Sequence, residues 1–220
     1  MKDIEISNEF RAACPQFKGI AIYAEIENTP CDEALWEEID RFSDDFRNSH
    51  TPQSVKDIDT IAATRAAYKL LGKDPSRYRP SAEALCRRLV KGERLYQINT
   101  AVDIINLVSA KTGYSIGGFD YDKISGDRLT LCIGKESDPY TGIGRGLLNI
   151  SNLPVYKDEK GGIGTPTSDN ERTKLDLHTK RILIIINSYE TPHHPEEAAG
   201  YAAELLKRHV SAKNITIKDF

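Results

Sequence analysis

The chain has 220 residues, of which 39% are hydrophobic and 29% are charged. This balance is typical of a globular protein with a sizeable core, and it excludes a disordered chain; no run approaches the roughly 20 apolar residues of a membrane span. The net charge of −3 argues against a protein held to nucleic acid by electrostatics alone, and we expect neither DNA nor a membrane as a partner.

The first half of the chain is mainly helical by pattern. Residues 19–26 are β-branched and alternate loosely, which predicts one strand. Apolar residues at helical spacing then predict four helices, over residues 32–47, 54–71, 80–92 and 99–112. Asp32 can cap the first of these helices, and Asn99 or Thr100 can cap the last.

The second half of the chain has the pattern of strands and turns. Apolar runs predict strands over residues 128–134, 153–157, 181–187 and 214–218, with one further helix over 196–209. The run ILIII within 181–187 is continuous, so we expect it to be buried on both faces. The pattern predicts a mixed α/β (α+β) fold in a single domain of residues 1–220, with helices in the N-terminal half and a mixed sheet in the C-terminal half.

Charge is distributed unevenly along the chain. Residues 25–59 carry eleven acidic and three basic residues, whereas residues 79–94 carry five basic and two acidic ones. The basic segment has two interpretations: a solvated helix face, which the sequence alone favours, or a strip that contacts phosphates. In the second case the contacts would come from Arg79, Arg87, Arg88 and Lys91.

The cysteine and histidine patterns give no metal or disulfide signature. Cys14, Cys31, Cys86 and Cys132 lie far apart, without a CxxC pair. We therefore expect neither a disulfide framework nor a zinc ribbon, no cofactor, and a reducing cytoplasm as the location. No Ser–His or Cys–His pair with catalytic spacing stands out either.

Two segments are candidates for a binding site. The loop 161–173, GGIGTPTSDNERT, combines glycines with hydroxyl and amide side chains, which suits an uncharged or anionic small ligand better than a metal. A long solvent-exposed loop is the alternative. On the predicted helix 99–112, Asn99, Asp103 and Asn106 form a polar row that either links the helix to neighbouring strands or points into a pocket.

The string VDIINLVSAKTGYSIGGFDYDKI (102–124) resembles the start of the B3/B4 domain in the β subunit of bacterial phenylalanyl-tRNA synthetase. The matching residues there are Asp103, Asn106, Gly113, Phe119 and Asp120. Residues 161–187 resemble the glycine-rich loop, threonine-bearing turn and buried strand of the same domain, with matches at Gly161, Gly162, Thr173 and Thr179. Residues 74–88 are similar to the lead-in of free-standing members. The resemblance covers residues 74–190, so residues 1–73 are expected to be an N-terminal extension packed on this core.

The resemblance implies an editing domain that hydrolyses the ester between a tRNA and a wrongly attached amino acid, a second sieve after charging. Such hydrolysis needs a placed water and donors for the developing oxyanion. The catalytic residues implied are Gly161, Gly162, Thr165, Thr167, Thr173 and His178. The substrate-binding residues implied are Asn99, Asp103, Asn106, Ser168, Arg172 and Ile185. The basic strip Arg79, Arg87, Arg88 and Lys91 would guide the tRNA acceptor end.

Two departures from the family pattern affect specificity. Gly117 stands where the synthetase domain has a histidine, and Ile185 aligns with the glutamate that recognises the tyrosine hydroxyl. The resemblance therefore implies a more apolar pocket rather than one for tyrosine, with His178 or Arg172 as a partial substitute for the missing histidine. A non-catalytic module that binds an amino acid, a nucleoside or an RNA end is the alternative function.

Overall fold

The computed structural model describes residues 2–189 and 192–220. In this part of the chain there are six α-helices: α1 Asn8–Ala13, α2 Glu33–Ser49, α3 Asp59–Leu70, α4 Ser81–Val90, α5 Thr100–Thr112 and α6 Pro195–His209. The same residues form ten strands: β1 Asp3–Ile6, β2 Lys18–Glu25, β3 Ser115–Asp120, β4 Arg128–Ile133, β5 Thr141–Gly142, β6 Gly146–Leu147, β7 Pro154–Asp158, β8 Gly161–Gly164, β9 Arg181–Ser188 and β10 Lys213–Asp219. The predicted mixed α/β class is confirmed.

The first sheet is antiparallel and has the strand order β10-β2-β9-β3. Its inner strand β9 is the continuous apolar run, and seven of its eight residues are buried, as the sequence predicted. Ile182, Ile184 and Ile186 face the helices, and Leu183 and Ile185 face the second sheet, because successive side chains alternate across a strand. Strand β3 is an edge strand of this sheet, so part of its backbone is available to other partners.

The second sheet has the order β1-β4-β7-β8, in which β1 and β4 are parallel and the other pairs antiparallel. The two sheets enclose a core that includes Phe119, Leu129, Tyr156 and Ile163. A separate two-residue ladder joins β5 and β6 into a small hairpin. The molecule thus has three layers: helices, the first sheet and the second sheet.

The N-terminal half contributes β2, where the sequence predicted a strand over residues 19–26, to the inside of the first sheet. It also contributes β1, which the sequence did not predict, to the edge of the second sheet. Residues 1–73, expected as an extension, therefore share a sheet with β9 through β2. The division of the chain at residue 73 stays a prediction. Residue 190, where the resemblance ends, lies outside the described residues. Strand β3 escaped the sequence analysis because SIGGFD contains two glycines and little β-branched character.

Helix boundaries follow local capping chemistry. Asp32 caps α2 by accepting a hydrogen bond from the Leu35 amide at 2.8 Å, as predicted. The predicted helix 54–71 is two elements instead, because a 3₁₀ turn over Ser54–Asp57 ends at Ile58, whose backbone is extended. Helix α3 begins only after this break.

Candidate functional site

A cavity of about 350 Å³ lies between helix α5, strand β3, the β5–β6 hairpin and the segment 165–175. Its walls are mostly apolar, and the polar groups are few: the lining residues are Ser81, Ile98, Val102, Ile105, Asn106, Ile116, Gly118, Ile143, Thr165, Ser168, Asp169, Lys174 and Leu175. An apolar enclosure with a small number of polar groups is the usual form of a small-molecule site. Ile98 and Ile143 at this site are 57% and 42% exposed, so the cavity opens to solvent between apolar side chains.

Helix α5 fixes Asn106 in the cavity wall. Its N-terminus is capped by Asn99, which accepts a hydrogen bond from the Val102 amide at 3.1 Å. One turn on, the Asp103 carboxylate accepts from the Trp36 indole N–H at 2.9 Å and from the Ile98 amide at 3.0 Å. Asn106 follows at helical spacing, half-buried, and its side chain has no hydrogen-bond partner within residues 2–189 and 192–220.

The polar row predicted on α5 thus divides into two roles. Asn99 and Asp103 are buried and hydrogen-bonded to neighbouring segments, and neither lines the cavity. Burial also raises the pKa of Asp103, which the bonds from Ile98 and Trp36 partly offset. Only Asn106 presents a free carboxamide to a ligand, so both interpretations of the row apply, each to different residues.

A tight turn at residues 165–168 supplies hydroxyl groups at the cavity. The Thr165 hydroxyl accepts from the amides of Thr167 and Ser168 at 3.2 and 3.1 Å. Thr165 and Ser168 both line the cavity. Thr167 is buried on the other side, with its hydroxyl 2.9 Å from that of Tyr68. The local Ser/Thr turn chemistry therefore orients two of the three predicted hydroxyl residues toward the cavity.

Asp169, which the sequence analysis did not single out, places a carboxyl group at the cavity. Its Oδ2 accepts a hydrogen bond from the amide of Gly118, on the open edge of β3, at 3.0 Å. A Cβ atom at Gly117 or Gly164 would lie only 3.2 or 3.0 Å from Oδ1, so the carboxyl occupies a niche that these glycines leave free. Burial raises the pKa of Asp169 to about 7, and the bond from Gly118 lowers it only in part.

A basic cleft of about 400 Å³ adjoins the cavity. All four residues of the predicted basic strip line it. The complete lining consists of Arg79, Ser81, Ala84, Leu85, Arg87, Arg88, Lys91, Glu93, Tyr96, Asn106, Arg145 and Thr167. Ser81 and Asn106 belong to both the cleft and the cavity. The two depressions are therefore neighbours that share a wall.

Part of the positive charge in the cleft is neutralised by a buried carboxylate. Glu83 is 1% exposed and lies 2.7 Å from Arg65 and 2.8 Å from Arg87. Lys91 and Arg145 form no ion pair within the part of the chain that the structure describes. Their charges are the ones most available to an anionic ligand.

The exposed edge of the cleft also carries an aromatic side chain. Tyr96 is 56% exposed, and the Arg88 guanidinium lies over its ring, 4.0 Å from the centroid. The guanidinium also bonds to Glu93. The cation–π contact and the bond to Glu93 hold the Tyr96 ring in place at the edge of the cleft.

Several residues assigned by the resemblance lie elsewhere. Gly161 and Gly162 belong to the β7–β8 hairpin, where Gly162 packs on Tyr140, and neither lines the cavity. Thr173 is fully buried below β8, and Ile185 is fully buried between the two sheets. Their distance from the cavity follows from strand pairing, which the sequence did not reveal at β8.

Two further candidates, Arg172 and His178, lie outside the cavity. Arg172 holds Asp158 through two bonds of 2.9 and 2.8 Å, and the Arg172 guanidinium is among the groups that hold the Asp158 pKa below its usual range. His178 is exposed in the turn before β9, where its amide bonds to Asp176. Neither side chain takes the place of the family histidine at the cavity.

Comparison with known protein families gives one result. The family model of the B3/4 domain matches residues 63–210, which is most of the chain. The chain belongs to the B3/4 domain family. The match includes α4, α5, β3, β9 and the segment 165–175, so both the cavity and the basic cleft lie within the B3/4 domain.

Comparison with solved structures shows similarity to an N-terminal fragment of the phenylalanyl-tRNA synthetase β subunit from Pyrococcus horikoshii. The sequence identity is 12% and the TM-score is 0.47, with 98% of this chain and 50% of that chain covered. The B3/4 chain thus spans half the length of that fragment. The search of curated proteins gave no match to this chain. Within residues 2–189 and 192–220, none of the helices has the length and apolar character to cross a membrane.

Proposed function

We propose that this B3/4 domain binds the acceptor end of an aminoacyl-tRNA and hydrolyses the ester of a wrongly attached amino acid. The observation that carries the proposal is the shared wall of the two depressions. An apolar cavity suited to an amino acid side chain and a basic cleft suited to phosphates meet at Ser81 and Asn106. An aminoacyl-tRNA has two matching parts, an amino acid and a phosphate-bearing RNA end, and the ester joins them.

The cavity walls favour an apolar amino acid. Val102, Ile105, Ile116 and Leu175 provide a continuous hydrocarbon surface. Burial of apolar area contributes about 25 cal/mol per Å², so a matching aliphatic or phenyl side chain gains most from this enclosure. A phenol would bury its hydroxyl among these aliphatic side chains, which is unfavourable unless the hydroxyl finds a hydrogen-bond partner.

The proposed reaction needs no covalent enzyme intermediate. A water oxygen attacks the ester carbonyl carbon, the bond from that carbon to the ribose oxygen breaks, and a proton passes to the leaving oxygen. Donors near the shared wall would stabilise the developing oxyanion. The Asn106 carboxamide lines the cavity, and it takes the role that the resemblance gave to Gly161 and Gly162.

A panel of mischarged tRNAs tests the proposal. We expect hydrolysis of one or more tRNAs that carry an apolar amino acid, and Asn106→Ala should reduce the rate about 100-fold, the usual effect of removing one oxyanion donor. Asn48→Ala is the matched control, because Asn48 is an exposed helical asparagine on α2. If no mischarged tRNA is hydrolysed above the background rate, the proposed reaction is wrong.

A non-catalytic binding module is the second candidate function. It is favoured by the absence of histidine from the cavity lining within the described residues. Binding and hydrolysis measured on the same panel discriminate between the two functions. Saturable binding of an aminoacyl-tRNA, with no hydrolysis of any tRNA in the panel, would support the binding module.

A further inference from the structure

Asp169 is the one carboxylate that lines the cavity within residues 2–189 and 192–220. The surrounding walls are largely aliphatic, so the charged form of this group is poorly solvated. A buried carboxylate is normally paired with a cation or coordinates a metal. None of the ion pairs of the described residues includes Asp169, and those residues contain no cluster of three or more His, Cys, Asp or Glu side chains that would hold a metal.

The position of this carboxylate is fixed by the backbone of three segments. Gly118 donates to Oδ2 at 3.0 Å, and the Ile143 amide on the hairpin donates to the Asp169 carbonyl at 3.0 Å. An isolated bridge also pairs Asp169 with Gly164. The side chain is therefore held in place before any ligand arrives, and Oδ1 has no hydrogen-bond partner in the described part of the chain.

The basic residue at the cavity does not neutralise Asp169. Lys174 lines the same cavity, but its ammonium group lies 2.7 Å from Glu171, and its side chain is 49% exposed. Among the residues that the structure describes, no cation pairs with the Asp169 carboxyl group in this apolar cavity, so the positive charge would have to come from the ligand.

We propose that Asp169 binds the free α-ammonium group of the amino acid, so that the site accepts aminoacyl esters and rejects N-acylated ones. This inference rests on the proposed function, because it names the substrate class of the same site. An ammonium group donates three hydrogen bonds, and a charge-assisted bond to a carboxylate is stronger in an enclosure than in water. An N-acyl group removes the charge and adds volume beside the glycine niche.

Paired ligands that cannot be hydrolysed as esters test this inference. The probes are leucinamide, isoleucinamide and phenylalaninamide, each compared with its N-acetyl form by NMR titration of the wild-type protein. We expect at least one free amine to bind ten or more times more tightly than its N-acetyl form. If none of the amides binds up to its solubility limit, or if the N-acetyl forms bind equally well, the inference is wrong.

A conservative variant identifies the residue responsible. Asp169→Asn keeps the shape and the acceptor for the Gly118 amide, and it should abolish the preference for the free amine while leaving binding of the N-acetyl form unchanged. Asp127→Asn, at an exposed position, is the control. Retention of the preference in Asp169→Asn would overturn the assignment, and the wild-type comparison decides the inference even if this variant does not fold.

The outcomes separate this inference from the proposed reaction. Amine preference that depends on Asp169, combined with no hydrolysis of any mischarged tRNA, would contradict the reaction and support the amine site. Hydrolysis of a mischarged tRNA at equal rates with and without N-acetylation would support the reaction and contradict the amine site.

Discussion

The carboxyl group of Asp169 is surrounded by glycines from two strands. Its neighbours Gly117, Gly118 and Gly164 lie on two different strands, and only the tertiary packing of β3 beside β8 brings them around one carboxyl group. In the sequence SDNERT it has the pattern of a polar loop residue. A sequence signal existed only in the glycine pair at 117–118, which marks a close approach of other groups to the backbone.

The raised pKa of Asp169 predicts a specific pH dependence of stability. Its pKa is about 4 in an unfolded chain and about 7 in the fold, so between these values the folded protein binds a proton that the unfolded chain has released. The contribution of this carboxyl to the free energy of unfolding therefore falls as pH rises from about 4 to about 7. The charged and titratable groups around it are Lys174, which lines the same cavity, and Tyr140, whose hydroxyl bonds to the Ser168 carbonyl.

Urea unfolding at a series of pH values measures this effect. Asp169→Asn should gain stability relative to the wild type between pH 4 and pH 7, and the gain should level off above about pH 7 to 8. Asp45→Asn, at an exposed position of α2, should run parallel to the wild type. A constant difference between Asp169→Asn and the wild type over this range would contradict the raised pKa.

Helix α5 is the element on which the cavity depends most directly, and its own sequence largely specifies it. The capping residue Asn99, the helical apolar spacing and the C-terminal Gly113, whose φ is +73°, all follow from local chemistry. The strands were less predictable. β9 was found because it is continuously apolar, whereas β3 and β8 are rich in glycine and gain their strand structure from their partners.

Loss of the α5 cap should reduce stability without removing binding. Asn99→Ala removes the bond to the Val102 amide and also the contact with the Asn28 side chain. We expect the free energy of unfolding to fall by about 0.5–2 kcal/mol, the usual cost of losing a cap. Binding of the amino acid amides used as probes should persist at temperatures well below the melting point, because Asn99 does not line the cavity.

The measurement combines urea unfolding with the NMR titration described above. Asn48→Ala should change the free energy of unfolding by less than about 0.5 kcal/mol, as exposed substitutions usually do. Complete loss of ligand binding in a folded Asn99→Ala protein would show that Asn99 has a direct role at the site, as the resemblance implied.

At the scale of the whole molecule, the charge distribution decides which face meets an anionic partner. The net charge of −3 conceals a cleft in which Lys91 and Arg145 form no ion pair with any residue that the structure describes. From the sequence alone, a solvated helix face was the favoured interpretation of the basic strip. Its residues face one depression because α4 packs beside α5 and the hairpin brings Arg145 across from another part of the chain. This convergence from separate segments could not be read from composition.

Salt-dependent binding tests the role of the cleft. Lys91→Ala should weaken the binding of tRNA and reduce the slope of log affinity against log salt concentration by about 1, the effect of losing one phosphate contact. Lys207→Ala is the control, since Lys207 lies near the end of α6 as Lys91 lies at the end of α4, and Lys207 does not line the cleft. Equal slopes for the wild type and Lys91→Ala would remove the cleft from the tRNA interface.

The β5–β6 hairpin has a mechanical consequence. Ile143 at its tip forms part of the cavity entrance, and the amide of the same residue is bonded to the Asp169 carbonyl. A ligand that is too wide for the entrance would displace the hairpin outward. Through the Ile143 peptide group, this displacement would also move Asp169, which is the proposed binding residue for the ligand's ammonium group. For the aminoacyl substrate proposed above, the stiffness of the β5–β6 hairpin would then limit the width of the acyl group.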